Sequence, residues 1–534
     1  MPAPQVLQNE AATRALQRGF DQIANVLAIT LGPTQGSVLS QHDTRPTPEV
    51  LTDAATIARR IIALPNRAED VGAMLARNLV WRQHLRAGDG CATTAVLAQA
   101  ILCHARAYLA VGGNAMMLRR GIERAGRVAV NTLKTLARPA STEELRHLAE
   151  TMTGDPRLSA VLGEIFSKLG PDAYVMIEEY ITPYIERQYY EGGRFKGRLV
   201  SPYLITDTIT RRCIINECHV ALYAGEISAL DDVMPLLKIV AATDWHQVAL
   251  IAREISGTAL MTLVLNHQQG KLKILAAELR EVEAKRRADF DDLATLTGAT
   301  VLSPELGRPL AKIEPSDLGA APRVEADAEE LIIVAGEGDP EMVKQRADAL
   351  RARIESLPET DEEVSDLRFR LARLNGQIAK LMIGAHTQVE REMMRRQAEK
   401  ALRALPLALR EGVVPGGGVA FLNCIPAVRA LAGEGDEKHG IEIVARALEE
   451  PFRRIAQNAG LDAPALLIAQ AQRRGANFGC DALTGQIVAM DNAGILDSAG
   501  VAREALQTAI SGAVMALTTE TIVLRDNPPT SYEP

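Results

Sequence analysis

The chain has 534 residues, of which 47% are hydrophobic, 24% charged and only 4% aromatic. That length exceeds what one hydrophobic core can hold and predicts roughly three or four domain-sized pieces. A formal net charge of −8 excludes a strongly basic face, which argues against nucleic acid as the main partner.

The first 18 residues are polar and lack the apolar core of a secretory signal, so the chain is expected to act in the cytoplasm. Residues 10–30 and 93–111 carry apolar positions three and four apart, which predicts amphipathic helices. After Gly112-Gly113 another helical stretch runs to about Leu136, and Arg138-Pro139-Ala140-Ser141 breaks it. The most apolar window, 93–118, is interrupted by His104 and Arg106, so no segment reads as a membrane span.

From 174 to 225 the texture turns to short β-rich runs at 174–177, 213–215 and 220–223. Strand-like runs at 248–252 and 331–335 then alternate with helices, an α/β pattern. Residues 341–371 predict a charged helical hairpin turning near Leu357-Pro358, and 388–410 another long charged helix. The last 120 or so residues return to the alanine-rich helical texture of the beginning. One helical texture therefore brackets an α/β insert, which predicts a discontinuous domain with a second threaded into it. Six scattered cysteines, Cys91, Cys103, Cys213, Cys218, Cys424 and Cys480, show no paired metal-ligand spacing and are expected as reduced thiols.

Four segments carry possible chemistry. Thr30-Leu31-Gly32-Pro33-Thr34-Gln35-Gly36 follows a helix and could bring backbone N–H groups to a phosphate, though Gly-Pro is also a common turn. Gly88-Asp89-Gly90-Cys91-Ala92-Thr93-Thr94 opens a helix, whose positive end favours an anion; Asp89 alone could equally be a cap. The third is Gly412-Val413-Val414-Pro415-Gly416-Gly417-Gly418 and the fourth Gly494-Ile495-Leu496-Asp497. Neither matches a Walker or Rossmann fingerprint.

In this order and at these separations the four segments resemble the nucleotide site of group I chaperonins, the Hsp60 family. The likeness extends through 95–100, Ser201-Pro202-Tyr203 and Asp292-Leu293-Ala294-Thr295-Leu296-Thr297-Gly298. It covers residues 8 to about 525 and marks the chain as a divergent paralogue. The resemblance implies a multi-domain, mostly α chaperonin fold with an α/β apical domain. Its parts would be an equatorial ATP-binding domain (1–135 and 410–534), an intermediate hinge (136–190 and 377–409) and an apical client-binding domain (191–376). It also implies a homo-oligomeric ring, heptameric and single or double, that takes non-native protein clients and a co-chaperonin. Neither nucleic acid nor membrane is expected as a partner.

For the cofactors ATP and Mg²⁺ the resemblance implies binding by Leu31, Gly32, Pro33, Asp89, Gly90, Thr93, Gly417, Ala482 and Asp497, with Asp89 as the metal ligand. Asp481 replaces an asparagine. Asp53 would stand beside the γ-phosphate as a catalytic acid. The aspartate that would orient the attacking water is Lys400, in Ala398-Glu399-Lys400-Ala401-Leu402. An ammonium has three donors and no acceptor, so it cannot take a proton from water. Glu399, next along the helix, is turned by about 100° onto another face. Cys91 and Ala92 replace two threonines, one residue is inserted at Thr34-Gln35-Gly36, and Ala54 replaces a glycine. These departures share one site, so ATP hydrolysis is expected to be impaired.

The apical client groove would be lined by Leu199, Tyr203, Leu204, Met234, Leu237, Leu260, Val264 and Leu265. All are apolar; taken alone such residues are usually core, and the resemblance gives most of them to a binding surface. The end of the chain, 524–534, is proline-rich where relatives carry Gly-Gly-Met repeats. The expected function is an ATP-dependent protein-folding chaperonin that captures non-native proteins in a ring. The alternative is a specialised paralogue that binds ATP and a dedicated client, such as an enzyme under assembly, with weak or no hydrolysis.

Overall fold

The computed structural model describes residues 5–34, 36–41, 48–180, 182–190, 192–208, 211–243, 245–334, 336–358 and 361–524. The chain forms two compact units: residues 1–171, 179–185 and 383–534, and residues 172–178 with 186–382. The bracketing read from the sequence is thus present, with the second unit inserted in the first. Helix predominates in the first unit, and the second combines a mixed sheet with helices.

The first unit is built on long helices, Asn9–Ala28, Arg67–Ala87, Cys91–Leu109, Ala115–Leu136 and Ala499–Leu517. Asn9–Ala28 buries Ala12, Leu16, Phe20, Ile23 and Leu27 on one stripe, as the period of 3.6 requires. Cys91–Leu109 is buried on most of its circumference, which is why its sequence is so apolar. Asn9–Ala28 and Arg67–Ala87 cross in backbone contact: a Cβ on Gly19 would overlap the Glu69 carbonyl, and one on Gly72 the Leu16 carbonyl. The break at 138–141 is a helix start, with Ser141 and Glu144 forming a capping box on Thr142–Thr153. Strands Gln5–Gln8 and Thr521–Leu524 pair antiparallel.

In the second unit the strand order is Val301–Leu302, Cys213–Ile227, Gly319–Ala326, Glu330–Val334, Gly193–Leu199, Lys273–Leu279, Gln247–Ile255, and the last also pairs with Cys213–Ile227. Six strands therefore form a closed ladder, with Val301–Leu302 added parallel to Cys213–Ile227. The run Val248, Ala249, Leu250, Ile251, Ala252 is wholly buried. The two β-runs expected at 213–215 and 220–223 are one strand of 15 residues. Between them Glu217 takes φ 50°, while the pairing keeps step from Asn216↔Arg323 to Cys218↔Ala321. The residue opposite is Pro322, which has no N–H to give, so the polar interruption is a kink and not a turn. The hairpin at 341–371 is present as Pro340–Ser356 and Glu362–Leu374.

This unit also buries charge. Asp292 is 0% exposed and accepts from Arg370 Nε at 2.8 Å, Arg373 Nη2 at 2.5 Å and Arg346 Nε at 3.1 Å. Burial pushes its carboxyl up, and the guanidinium groups outweigh that and hold it below the usual carboxylate range.

All six cysteines are free; Cys103 is exposed and the other five are buried. Burial pushes the thiols of Cys213, Cys218 and Cys424 up to about 12, so they are inert. Among the described residues no helix is long and apolar enough to cross a membrane. Gln35 and residues 525–534, which carry the loop insertion and the proline-rich end, lie outside the described residues.

Candidate functional site

The candidate nucleotide site belongs to the first unit and starts at a helix end. Gly90 (φ 77°) is the N-cap of Cys91–Leu109 and provides no side-chain cap, so the first turn of a 19-residue helix is left without one. Thr93 stands half-buried in that turn, while Thr94 Oγ1 turns back to the Gly90 carbonyl at 2.9 Å. Cys91 Sγ lies 3.5 Å from the Val80 carbonyl, turned into the core. Asp89 precedes the helix, with its carbonyl held by Gln83 Nε2 at 2.8 Å. Gln83 is itself fully buried and also reaches the Val501 carbonyl, at 3.4 Å.

Asp53 caps Ala54–Arg60, accepting from the Thr56 N–H at 2.8 Å and the Thr56 hydroxyl at 2.9 Å. Asp497 lies on strand Leu496–Ser498, paired with Val414 of Val413–Pro415. The glycine run after Val414 is thereby brought to the same strand pair: the Gly416 N–H donates to the Ile495 carbonyl at 2.9 Å. Gly417 faces Met490 and Ile495. Two of the turns lean on one short helix, Glu450–Asn458. Gly32 packs against Ile455 and Gly418 against Phe452, three positions apart on one face. Asn458 Nδ2 holds the first loop by the carbonyls of Ala28 and Leu31, each at 2.8 Å. Leu31 is half-buried there and Pro33 exposed. Ala482 sits in a tight turn that Asp481 closes through the Leu483 N–H at 2.9 Å and the Thr484 hydroxyl at 2.8 Å. The exchange of asparagine for Asp481 therefore keeps a turn-forming acceptor.

Lys400 is on helix Gln388–Glu411, and its Nζ lies 3.0 Å from Asp89 Oδ1. The helix is seated closely: a Cβ on Gly88 (φ 70°) would overlap the Lys400 carbonyl and lie 2.8 Å from Arg403 Cβ. One turn on, Arg403 Nη1 donates to the His84 carbonyl at 3.2 Å. Burial pushes the Asp89 carboxyl up, but the Lys400 ammonium and the Gly90 N–H prevail and hold it below its ordinary value. Burial likewise pulls Lys400 down, and the charges of Asp89 and Asp53 outweigh it, so the ammonium stays protonated. Asp497 is the exception: burial and the nearby Asp89 charge push it up to about 7. His84 is kept neutral by burial and by Arg403 and Lys400, against Asp53. Its Nδ1 is buried without a hydrogen-bond partner.

Asp89 and Lys400 are thus in contact, and the charges of Asp53 on Lys400 and of Asp89 on Asp497 tie the other two carboxylates to the same cluster. His84, Gln83, Arg403 and Asn458 are additions that sequence reading missed; of these only Arg403 had a signal, its spacing of three from Lys400 on one helix. The uncapped helix start and the glycine turns are of a kind that fits a nucleotide's phosphates. The cation position does not fit Mg²⁺ as it stands, because the Asp89 carboxylate already holds Lys400. Among the described residues no three His, Cys, Asp or Glu side chains converge as a metal group. A cavity of about 840 Å³ in the same unit includes Arg82, Arg127, Lys134 and Thr508 in its lining and none of the expected nucleotide residues.

In the second unit, helices Leu230–Ala241 and Gly257–Gln268 pack together, with Pro202–Leu204 against the latter. The expected client residues divide by burial. Leu204 and Leu237 are core, 0% and 6% exposed. Leu199, Met234, Leu260 and Val264 are half-buried, and Tyr203 and Leu265 are exposed. Met261, 68% exposed, was not singled out. Because Ala259 and Leu263 face the core, the outermost apolar pair is 261/265, one residue around from the 260/264 pair.

A family model described as the TCP-1/cpn60 chaperonin family matches residues 23–527 of the chain.

Proposed function

The chain belongs to the TCP-1/cpn60 chaperonin family, whose work is protein folding, and from that membership we infer that it is a group I, ring-forming homo-oligomer that binds ATP and captures non-native proteins. The observation that carries the nucleotide part is the uncapped helix start at Gly90, with Asp89 beside it and Asp497 within its field. Gly32, Gly90 and Gly417, all at positive φ, supply turns where backbone can approach phosphate, ribose or base. Residues 1–135 with 410–534 would form the equatorial part, 136–190 with 377–409 the hinge, and 191–376 the client-binding part. The exposed apolar side chains Tyr203, Met261 and Leu265 support client capture, since an exposed apolar patch binds segments whose own hydrophobes are unburied.

The pairing of Lys400 with Asp89 favours the second reading over brisk turnover: a specialised paralogue with weak or no hydrolysis, serving a dedicated client. The first reading requires a ring and the second a ring or a smaller oligomer, in the cytoplasm and with or without a co-chaperonin. Seven copies of a 57.6 kDa chain make a closed assembly of about 400 kDa. Light scattering of the native protein, together with calorimetric titration of ATP, tests the proposal. An oligomer of that size or twice it that binds ATP is expected; a monomer with and without ATP, or no binding, would refute it.

A further inference from the structure

Resting on the nucleotide reading above, we propose that Lys400 is a built-in counter-cation, so that the chain binds nucleoside triphosphate without a divalent metal. The ammonium lies 3.0 Å from Asp89 Oδ1, a charge-assisted hydrogen bond. That bond uses one of its three donors, which leaves two for phosphate oxygens. Lys400 is not a loose surface lysine: its side chain is 25% exposed. Its helix is pressed against the Gly88 backbone and pinned by Arg403 on the His84 carbonyl. The position of the charge is therefore set by the fold before any ligand arrives.

The local charges point the same way. Asp89 is in contact with the Lys400 ammonium, and Asp53 acts on the same ammonium from the start of helix Ala54–Arg60. The carboxylate that a divalent cation would take is thus already paired with an ammonium. A metal on Asp89 would have to displace the ammonium and would then sit beside it, with like charges opposed. A triphosphate instead meets the two remaining donors of the Lys400 ammonium and an uncapped helix start, both of which favour anionic oxygens without a metal. Lys400 thus determines which form of the nucleotide the site accepts: free ATP in preference to the Mg²⁺ complex.

Calorimetric titration of ATP into the full-length protein, in EDTA and in excess Mg²⁺ at matched ionic strength, tests this. For the wild type the dissociation constant in EDTA should be no larger than that in Mg²⁺. Lys400→Asp should weaken binding in EDTA by at least about tenfold and make it depend on Mg²⁺, with Lys400→Met between the two. Circular dichroism melts identify any variant that fails to fold, and the wild-type comparison stands without the variants. Wild-type binding that requires Mg²⁺ overturns the counter-cation and leaves the nucleotide reading intact. Binding in neither buffer overturns the nucleotide reading and this inference with it.

Discussion

Glu399 Oε1 accepts from Arg395 Nε, one turn back along the same helix, at 3.1 Å. Its neighbour Lys400, about 100° around the helix, is the side chain that reaches Asp89, so the group this helix presents there is an ammonium and not a carboxylate. Positioning and general-base effects are typically worth about 10²–10⁴-fold, and hydrolysis should be slow by that order. Lys400→Asp should raise steady-state phosphate release in Mg²⁺ at least about tenfold, while Glu399→Gln leaves it within about twofold. A wild type that already turns over briskly, or a flat response to Lys400→Asp, would show that another acceptor serves.

The Asp497 carboxyl at about 7 makes a pH prediction. Its folded value is raised above the unfolded carboxylate value near 4, so the folded state holds a proton that the unfolded state has released. Stability therefore falls as pH rises from about 4 to about 7 and levels off above. Asp497→Asn, which mimics the protonated form, should raise Tm at pH 8 and change it little at pH 5. Equal shifts at both pH values would mean that the carboxyl does not titrate there.

Client capture should follow exposure and not hydrophobicity alone. Met261→Ser with Leu265→Ser should reduce suppression of aggregation of an unfolded test protein and leave the melting profile unchanged. Leu204→Ala or Leu237→Ala should instead destabilise the second unit, by about 2–5 kcal/mol, because each leaves a cavity in packed core. Intact suppression in the double variant would place client binding elsewhere.

Asp292 should be the costliest single charge to remove from the second unit. Asp292→Ala leaves Arg370 and Arg373 as buried cations with a partner missing, worth about 3–5 kcal/mol in comparable cases. Because the carboxyl is held below its ordinary value, its contribution is full above the usual carboxylate range and is lost as pH falls below that range through the lower folded value. Urea unfolding of the variant at pH 7 with an unchanged midpoint would contradict this.

The bracketed organisation was legible because composition follows architecture: alanine-rich amphipathic runs make the helical unit, and Val248 to Ala252 makes a strand buried on both faces. The helical hairpin was legible from Leu357-Pro358. The strand Cys213–Ile227 was divided in the reading because Asn216-Glu217 looks like punctuation, and only the position of Pro322 opposite explains why the strand continues. Candidate site residues were legible where they lie within glycine turns. Gln83 and Asn458 were not, because a polar side chain on a helix shows its value only when the distant carbonyl it meets is known. Leu204 and Leu237 could not be told from exposed neighbours for a similar reason: helical spacing gives a face, and burial depends on what packs against it.

The closed ladder bears on how a sticky surface can be kept harmless. Each of its six strands has a partner on both sides, so the sheet offers no long free edge of backbone N–H and C=O groups; the added Val301–Leu302 spans only two residues. Extended non-native chains readily join such an edge as an extra strand, and that contact propagates into aggregates. On the proposed reading, a passing chain would be held by side chains such as Met261 and Tyr203 and would find no long edge of this ladder to join. Such a hold would rest on side-chain contact alone, and withdrawing the apolar patch would end it.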